Sequence, residues 1–311
     1  MESPPPVVLA PDMTLEPAGY TVDSDGDRIH FLDWGGPTTP RAAGVVAVPG
    51  LGHTAWAWTP IARRLGGPAG AIRFVALDLR GHGLSDAPTE DGAYDLDRFG
   101  ADVIAVAEGS SILGDADDRA ILVGHGFGAI AAAYAAAALG DQCAGLVLVD
   151  GGWEDLEVST GIDVDEFLRG LEEPPEVMAS MSAFLRDRRE FDRGTWDADQ
   201  ERAARATVVE THAGRVVPSA RPHATEAAVR AMFAYDPSAV LPFVDAPVTA
   251  LIAMDDEVRS RARALAAVSS TREENGRAPI RVVAFGHDGH NLMRYRPDQV
   301  AAAILSVGEG G

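Results

Sequence analysis

Residues 121–129 read Ile121-Leu122-Val123-Gly124-His125-Gly126-Phe127-Gly128-Ala129, and their arrangement decides the fold. An uninterrupted apolar run enters a turn with glycine at every second position. Directly beyond it, Ala129 to Leu139 (AIAAAYAAAAL) is a run rich in strong helix formers, stopped by Gly140. A strand that passes through a tight, glycine-flanked turn into a helix is the context required of a G-x-S-x-G nucleophile elbow. In such a turn the middle residue has a strained backbone and projects its side chain above the sheet, and the flanking glycines let neighbouring backbone approach. Here the middle residue is Gly126, where a serine, aspartate or cysteine would stand in an elbow that carries a nucleophile.

Working outward, short apolar runs alternate with helical stretches. Arg28 to Trp34, Gly44 to Val48, Arg73 to Leu77, Ala120 to Val123, Leu146 to Val149, Val248 to Ala253 and Ile280 to Ala284 are predicted strands. Continuous apolar runs without alternation suit parallel strands covered on both faces. The expected fold class is therefore α/β, a doubly wound and mostly parallel sheet. Between Val149 and Val248 no strand is predicted. Helical patterns occur there over Val164 to Glu172, Glu176 to Arg189, Asp197 to His212 and Thr225 to Phe233. A loop of this length without structure would be unusual, so residues 151–247 are predicted to be an inserted helical cap. Residues 18–150 and 248–311 would form the core, and the proline-rich residues 1–17 a flexible leader.

Composition narrows the function classes. The chain has 311 residues and a net charge of −21, which disfavours nucleic acid and anionic membrane as partners. All 26 basic residues are arginine, so a lysine-dependent phosphate loop is excluded. Gly124-x-Gly126-x-Gly128 lacks the G-x-G-x-x-G spacing of a dinucleotide site, and no metal or flavin motif is present, so no cofactor is expected. Cys143 is the only cysteine, which excludes an intramolecular disulfide and a CxxC pair. The N-terminus has no basic start, and no apolar run approaches membrane length, which together predict a cytoplasmic protein. The expected partner is a small molecule, and no feature of the sequence specifies an oligomer.

Beyond the elbow, the chain resembles the α/β-hydrolase superfamily from about Tyr20 to Ser306. Pro49-Gly50-Leu51-Gly52-His53 resembles the family loop whose backbone helps form the oxyanion hole, with Pro49 where a histidine is usual. The resemblance implies that the N–H groups of Leu51 and Phe127 face the oxyanion. Asp78-Leu79-Arg80-Gly81-His82-Gly83-Leu84-Ser85 resembles the D-x-R-G-x-G-x-S stretch of esterases, epoxide hydrolases and haloalkane dehalogenases, and its role reads as structural. Gly289-His290, with Pro297 seven residues on, matches the family's base histidine; His287 is the second choice. Met254-Asp255-Asp256-Glu257-Val258 aligns on the family's acidic turn and implies Asp256 as the acid, with Asp255 as alternative. Asp150, which ends the run LVLV, is a further candidate, since some relatives place their acid there. His53 and Trp56 are candidates for the substrate pocket, whereas Trp58 could simply anchor its loop. Phe184, Trp196, Met178 and Met181 of the cap read as either core or pocket.

Glycine at position 126 removes covalent catalysis from that position. It also relieves the strained elbow. Three readings follow. In the first, Gly126 replaces serine in an ordinary hydrolase. In the second, a His290–Asp256 dyad acts as a general base, either on water or on a substrate C–H or O–H, as in the cofactor-free dioxygenases of this fold; a lyase would work similarly. In the third, the protein is a catalytically silent ligand binder. The retained histidine and acid favour an enzyme of hydrolase ancestry. Its expected substrate is an ester, lactone or similar small apolar molecule.

Overall fold

Ten strands are present in the computed structural model, which describes residues 10–37, 43–254, 258–286 and 289–307. They are β1 (Ala18–Ser24), β2 (Asp27–Asp33), β3 (Gly44–Val48), β4 (Phe74–Leu77), β5 (Ala120–His125), β6 (Cys143–Val149), β7 (Val208–Glu210), β8 (Val216–Pro218), β9 (Val248–Met254) and β10 (Arg281–Gly286). Eight of them form one sheet in the order β1-β2-β4-β3-β5-β6-β9-β10. β1 and β2 are an antiparallel hairpin, and β2 also lies antiparallel to β4. From β4 to β10 every pairing is parallel.

The helices are α1 (Thr59–Leu65), α2 (Leu96–Gly109), α3 (Phe127–Leu139), α4 (Leu156–Thr160), α5 (Val164–Gly170), α6 (Met181–Phe191), α7 (Ala198–Ala206), α8 (Pro222–Phe233), α9 (Val258–Glu274), α10 (Leu292–Tyr295) and α11 (Pro297–Val307). The central strands β3, β4, β5 and β6 are buried on both sides because each side meets a helical layer. Val46, Val48 and Leu122 pack with residues of α2, α3 and α9, while Val45, Ala47 and Val123 pack with residues of α1 and α11. The alanine-rich α3 lies close to the sheet and to α2. A β-carbon on Gly100 of α2 would come within 2.9 Å of Tyr134 Cβ.

The structure departs from the sequence reading in three places. First, β1 precedes the strand expected at Arg28. Asp25 and Gly26 both take positive φ (55° and 93°), the turn geometry that joins two-residue hairpins. Second, the segment between β6 and β9 holds helices α4–α8 but also the hairpin β7–β8. The helix expected over Asp197 to His212 ends at Ala206, because Val208 and Val209 pair with Val217 and Pro218 rather than continuing the helix. Third, residues 12–16, expected within a flexible leader, dock on α1. The backbone carbonyls of Asp12 and Leu15 accept hydrogen bonds from Arg63 at 3.1 and 2.8 Å.

Candidate active site

The parallel strands place β5 beside β6 and β6 beside β9, so the loops at their C-terminal ends converge. The chain turns from β5 into α3 at Gly126, which has φ 53° and ψ −119°. This is the strained elbow conformation anticipated from the sequence, and it persists although glycine permits relaxation. Hydrogen bonds hold it: Gly126 N–H donates to Val149 O at 3.0 Å, and Ala129 N–H donates to Gly126 O at 3.1 Å. Gly124 is required by proximity, since its β-carbon would lie 2.2 Å from Gly128 O.

His290 leans over this turn. A β-carbon on Gly126 would stand 3.1 Å from His290 Nε2. The other ring nitrogen, Nδ1, lies 2.7 Å from Asp150 Oδ2. A carboxylate only accepts, so Nδ1 carries the proton and Nε2 presents its lone pair to the elbow. Asp150 follows directly on β6 with a positive φ of 49°, a conformation that aspartate tolerates better than most residues. It is buried, with Oδ1 accepting from Ala253 N–H at 2.9 Å and from Arg261 Nη2 at 2.8 Å. Burial alone would raise its carboxyl pKa. The hydrogen bond from His290 and the charge of Arg261 outweigh burial and hold it below the ordinary carboxylate range.

Among the described residues the carboxylate in contact with His290 is Asp150, which the sequence offered as an alternative. Asp255, Asp256 and His287 lie outside the described residues. Arg261 and Glu154 went unnoticed in the sequence. Arg261 Nε donates to Glu154 Oε1 at 3.0 Å, and the guanidinium lies 5.4 Å from the Trp153 ring. No motif marks either residue.

The loop after β3 closes the other side. His53 N–H donates to Gly50 O at 3.1 Å, and His53 Nδ1 donates to Leu51 O at 3.2 Å. The N–H groups of Leu51 and Phe127 have no protein acceptor among the described residues. Phe127 is the first residue of α3, where a backbone N–H has no partner within the helix. Both residues line the same cavity as Gly126. His125 is a packing residue here: its Nε2 donates to His290 O at 3.1 Å, and its ring lies 4.4 Å from that of His290. Burial lowers the pKa of His125 well below its ordinary value, and lowers that of His53.

Above Gly126 lies a cavity of about 390 Å³, lined by Phe127, Ile130, Phe167 and Met232 together with Glu154 and Arg261. A second lobe of about 480 Å³ adjoins it at Leu51, His53 and Leu171, and is lined by Met178, Phe184 and Trp196. His53 lines both lobes. Trp56, the other pocket candidate, lines neither lobe: its ring packs edge-on against Trp34 at 6.3 Å and under the Arg202 guanidinium at 4.9 Å. Trp58 is fully buried and anchors the loop.

The D-x-R-G-x-G-x-S stretch is structural. Asp78 accepts from Ala55 N–H (2.7 Å) and Leu84 N–H (3.0 Å), and Arg80 grips Asp102 through two bonds of 2.7 and 2.6 Å. Among the described residues no group of three or more His, Cys, Asp or Glu side chains is arranged to hold a metal ion. Burial pushes the lone Cys143 thiol up to about 12, which keeps it unreactive.

Residues 45–303 match the sequence pattern described as the alpha/beta hydrolase family. The chain belongs to that family. Among curated proteins, this α/β hydrolase is 33% identical over 116 residues to a non-heme chloroperoxidase of Streptomyces lividans, a match covering 35% of this chain and 36% of that protein. It is 31% identical over 114 residues to epoxide hydrolase A of Mycobacterium tuberculosis, covering 37% of this chain and 32% of the relative. The chain thus spans about a third of the length of these curated relatives. Among solved structures, E-2-(acetamidomethylene)succinate hydrolase superposes with a TM-score of 0.76 at 21% identity, covering 94% of this chain and 100% of the other. At that identity the likeness concerns the fold alone.

Proposed function

We propose that this α/β hydrolase cleaves a small apolar ester or lactone by direct attack of water, with His290 as general base. The observation that carries this reading is the Nε2 lone pair of His290 directed at the site of the missing side chain, 3.1 Å from where a β-carbon would be. Absence of Cβ and Oγ leaves room there for a water molecule. His290 Nε2 takes a proton from that water as its oxygen attacks the carbonyl carbon. The N–H groups of Leu51 and Phe127 hold the resulting oxyanion. Collapse breaks the bond to the leaving oxygen, which takes the proton back from the imidazolium. Asp150 fixes the tautomer and stabilises the imidazolium throughout. The apolar lining of the lobe above Gly126 supports a hydrophobic acyl or ring portion.

The test is hydrolysis of a panel of chromogenic esters and lactones by the protein and by His290→Ala. Slow turnover with no initial burst, lost in the variant, is expected, because the oxyanion hole and binding retain part of the catalysis when the nucleophile is absent. Turnover that survives His290→Ala unchanged, or a stoichiometric burst, would sink the reading.

A further inference from the structure

We propose that His125 is a positioning residue that sets the general base against the oxyanion loop. It grips the backbone of His290 and bears on Gly50 and His53. This rests on reading His290 as the general base.

His125 is the last residue of β5, a strand paired with β3 on one side and β6 on the other, and it lies in register with Val149. Its side chain thus starts from backbone held by the sheet, and it is only 1% exposed. A carbonyl only accepts, so the 3.1 Å contact with His290 O makes Nε2 the protonated ring nitrogen. This bond joins residues 165 positions apart and ends on the main chain of His290 rather than on its ring. The two contacts on His290 divide the task. Asp150 orients the imidazole at Nδ1, and His125 ties to β5 the backbone from which that imidazole projects. The two imidazoles also pack together, with centroids 4.4 Å apart and planes tilted by 45°.

Another edge of the His125 ring meets the oxyanion loop. A β-carbon on Gly50 would stand 2.7 Å from His125 Nδ1, so a glycine there lets the loop approach the ring. The next residue is Leu51, whose carbonyl accepts from His53 Nδ1, and the His53 ring meets that of His125 edge-on at 5.8 Å. One side chain therefore spaces the loop that carries Leu51 N–H from the segment that carries His290.

Packing alone does not account for a histidine at this place. Its Nδ1 is buried without a hydrogen-bond partner among the described residues, which costs stability. A phenylalanine would fill the space without that cost, but it would lack the Nε2 donor. Burial also holds the ring neutral, so no positive charge is set against the imidazolium that forms on His290.

The experiment compares the native chain with His125→Phe and His125→Leu, which remove the donor, and with His125→Gln, whose amide nitrogen can donate from near the place of Nε2. Ester turnover and hydrogen exchange of residues 289–296 are measured on all four. Both donor-less variants are expected to lower kcat by roughly 10- to 100-fold with KM little changed. They should also speed exchange in residues 289–296, and His125→Gln should recover most of both losses. A residue that only packs would give the opposite order, with glutamine the worst of the three. Native kcat and native exchange in the donor-less variants overturn the proposal, and so does a glutamine variant no better than they are. If even the native chain shows no His290-dependent turnover, the hydrolytic reading falls, and the exchange comparison by itself decides whether His125 holds the segment.

Discussion

His290 Nε2 lies 3.1 Å, and Cε1 3.5 Å, from the point that a β-carbon on Gly126 would occupy. A serine there would require the imidazole to retreat by a few tenths of an ångström. The ring can do so, because the His290 side chain is 58% exposed. Gly126→Ser is therefore expected to place Oγ within hydrogen-bond reach of Nε2. Turnover of a substrate ester should rise by about 10²-fold or more, with an acyl-enzyme burst and labelling by a fluorophosphonate. The positive φ should lower stability by roughly 1 kcal/mol, read as a lower unfolding midpoint. Absence of both burst and label would show that the pocket is not organised for acyl transfer.

Asp150→Asn keeps the size of the side chain but removes the charge that sets the tautomer of His290. His290-dependent turnover should fall by about 10²- to 10⁴-fold. Asp256→Asn should have the smaller effect of the two. Steady-state kinetics on the two variants decide which carboxylate serves His290; equal losses would assign both to the dyad.

Acid stability should carry the signature of Asp150. Its carboxyl holds a proton more weakly in the folded chain than at its ordinary value of 3.8, so the unfolded chain takes up that proton first as pH falls. The stabilisation is complete above about pH 5 and is lost as pH falls through 3.8 toward the lower folded value. Thermal unfolding midpoints measured against pH should therefore show native protein and Asp150→Asn converging below pH 4, by roughly the same window. A constant difference down to pH 2 would contradict this.

Arg63 joins three parts of the chain. It donates to Asp199 of α7 through bonds of 2.8 and 3.0 Å, and to the carbonyls of Asp12 and Leu15. Arg63→Met leaves Asp199 buried without its cation, a loss of about 3–5 kcal/mol. Hydrogen exchange should accelerate first in residues 12–16 and in α7. Exchange that rises uniformly across the sheet instead would mean that Arg63 supports the whole core rather than this junction.

The elbow was legible because it is local. Strand, paired glycines and alanine-rich helix are contiguous, and each follows from backbone sterics or helix propensity. Position 126 could therefore be placed from sequence, and the backbone angles there match. The parallel core was legible for a related reason: a strand buried on both faces must be apolar at every position, as Val45–Val48 are. His290 was reached only through a spacing shared with relatives.

The partner of His290 was decided by tertiary structure. Asp150 and His290 are 140 residues apart in the chain, and they meet because β6 pairs with β9 in a register that sets Asp150 N–H on Leu251 O. No local pattern distinguishes an aspartate that ends β6 facing a histidine from one that caps a turn. Arg261 and Glu154 were hidden for the same reason, since a charge's role depends on what packs over it and on how much water remains. Sequence alone determined the strand–elbow–helix frame and the glycine at its centre. The folded chain determined which charges stand around the empty position, because side-chain electrostatics follow from distance and burial rather than from order along the chain.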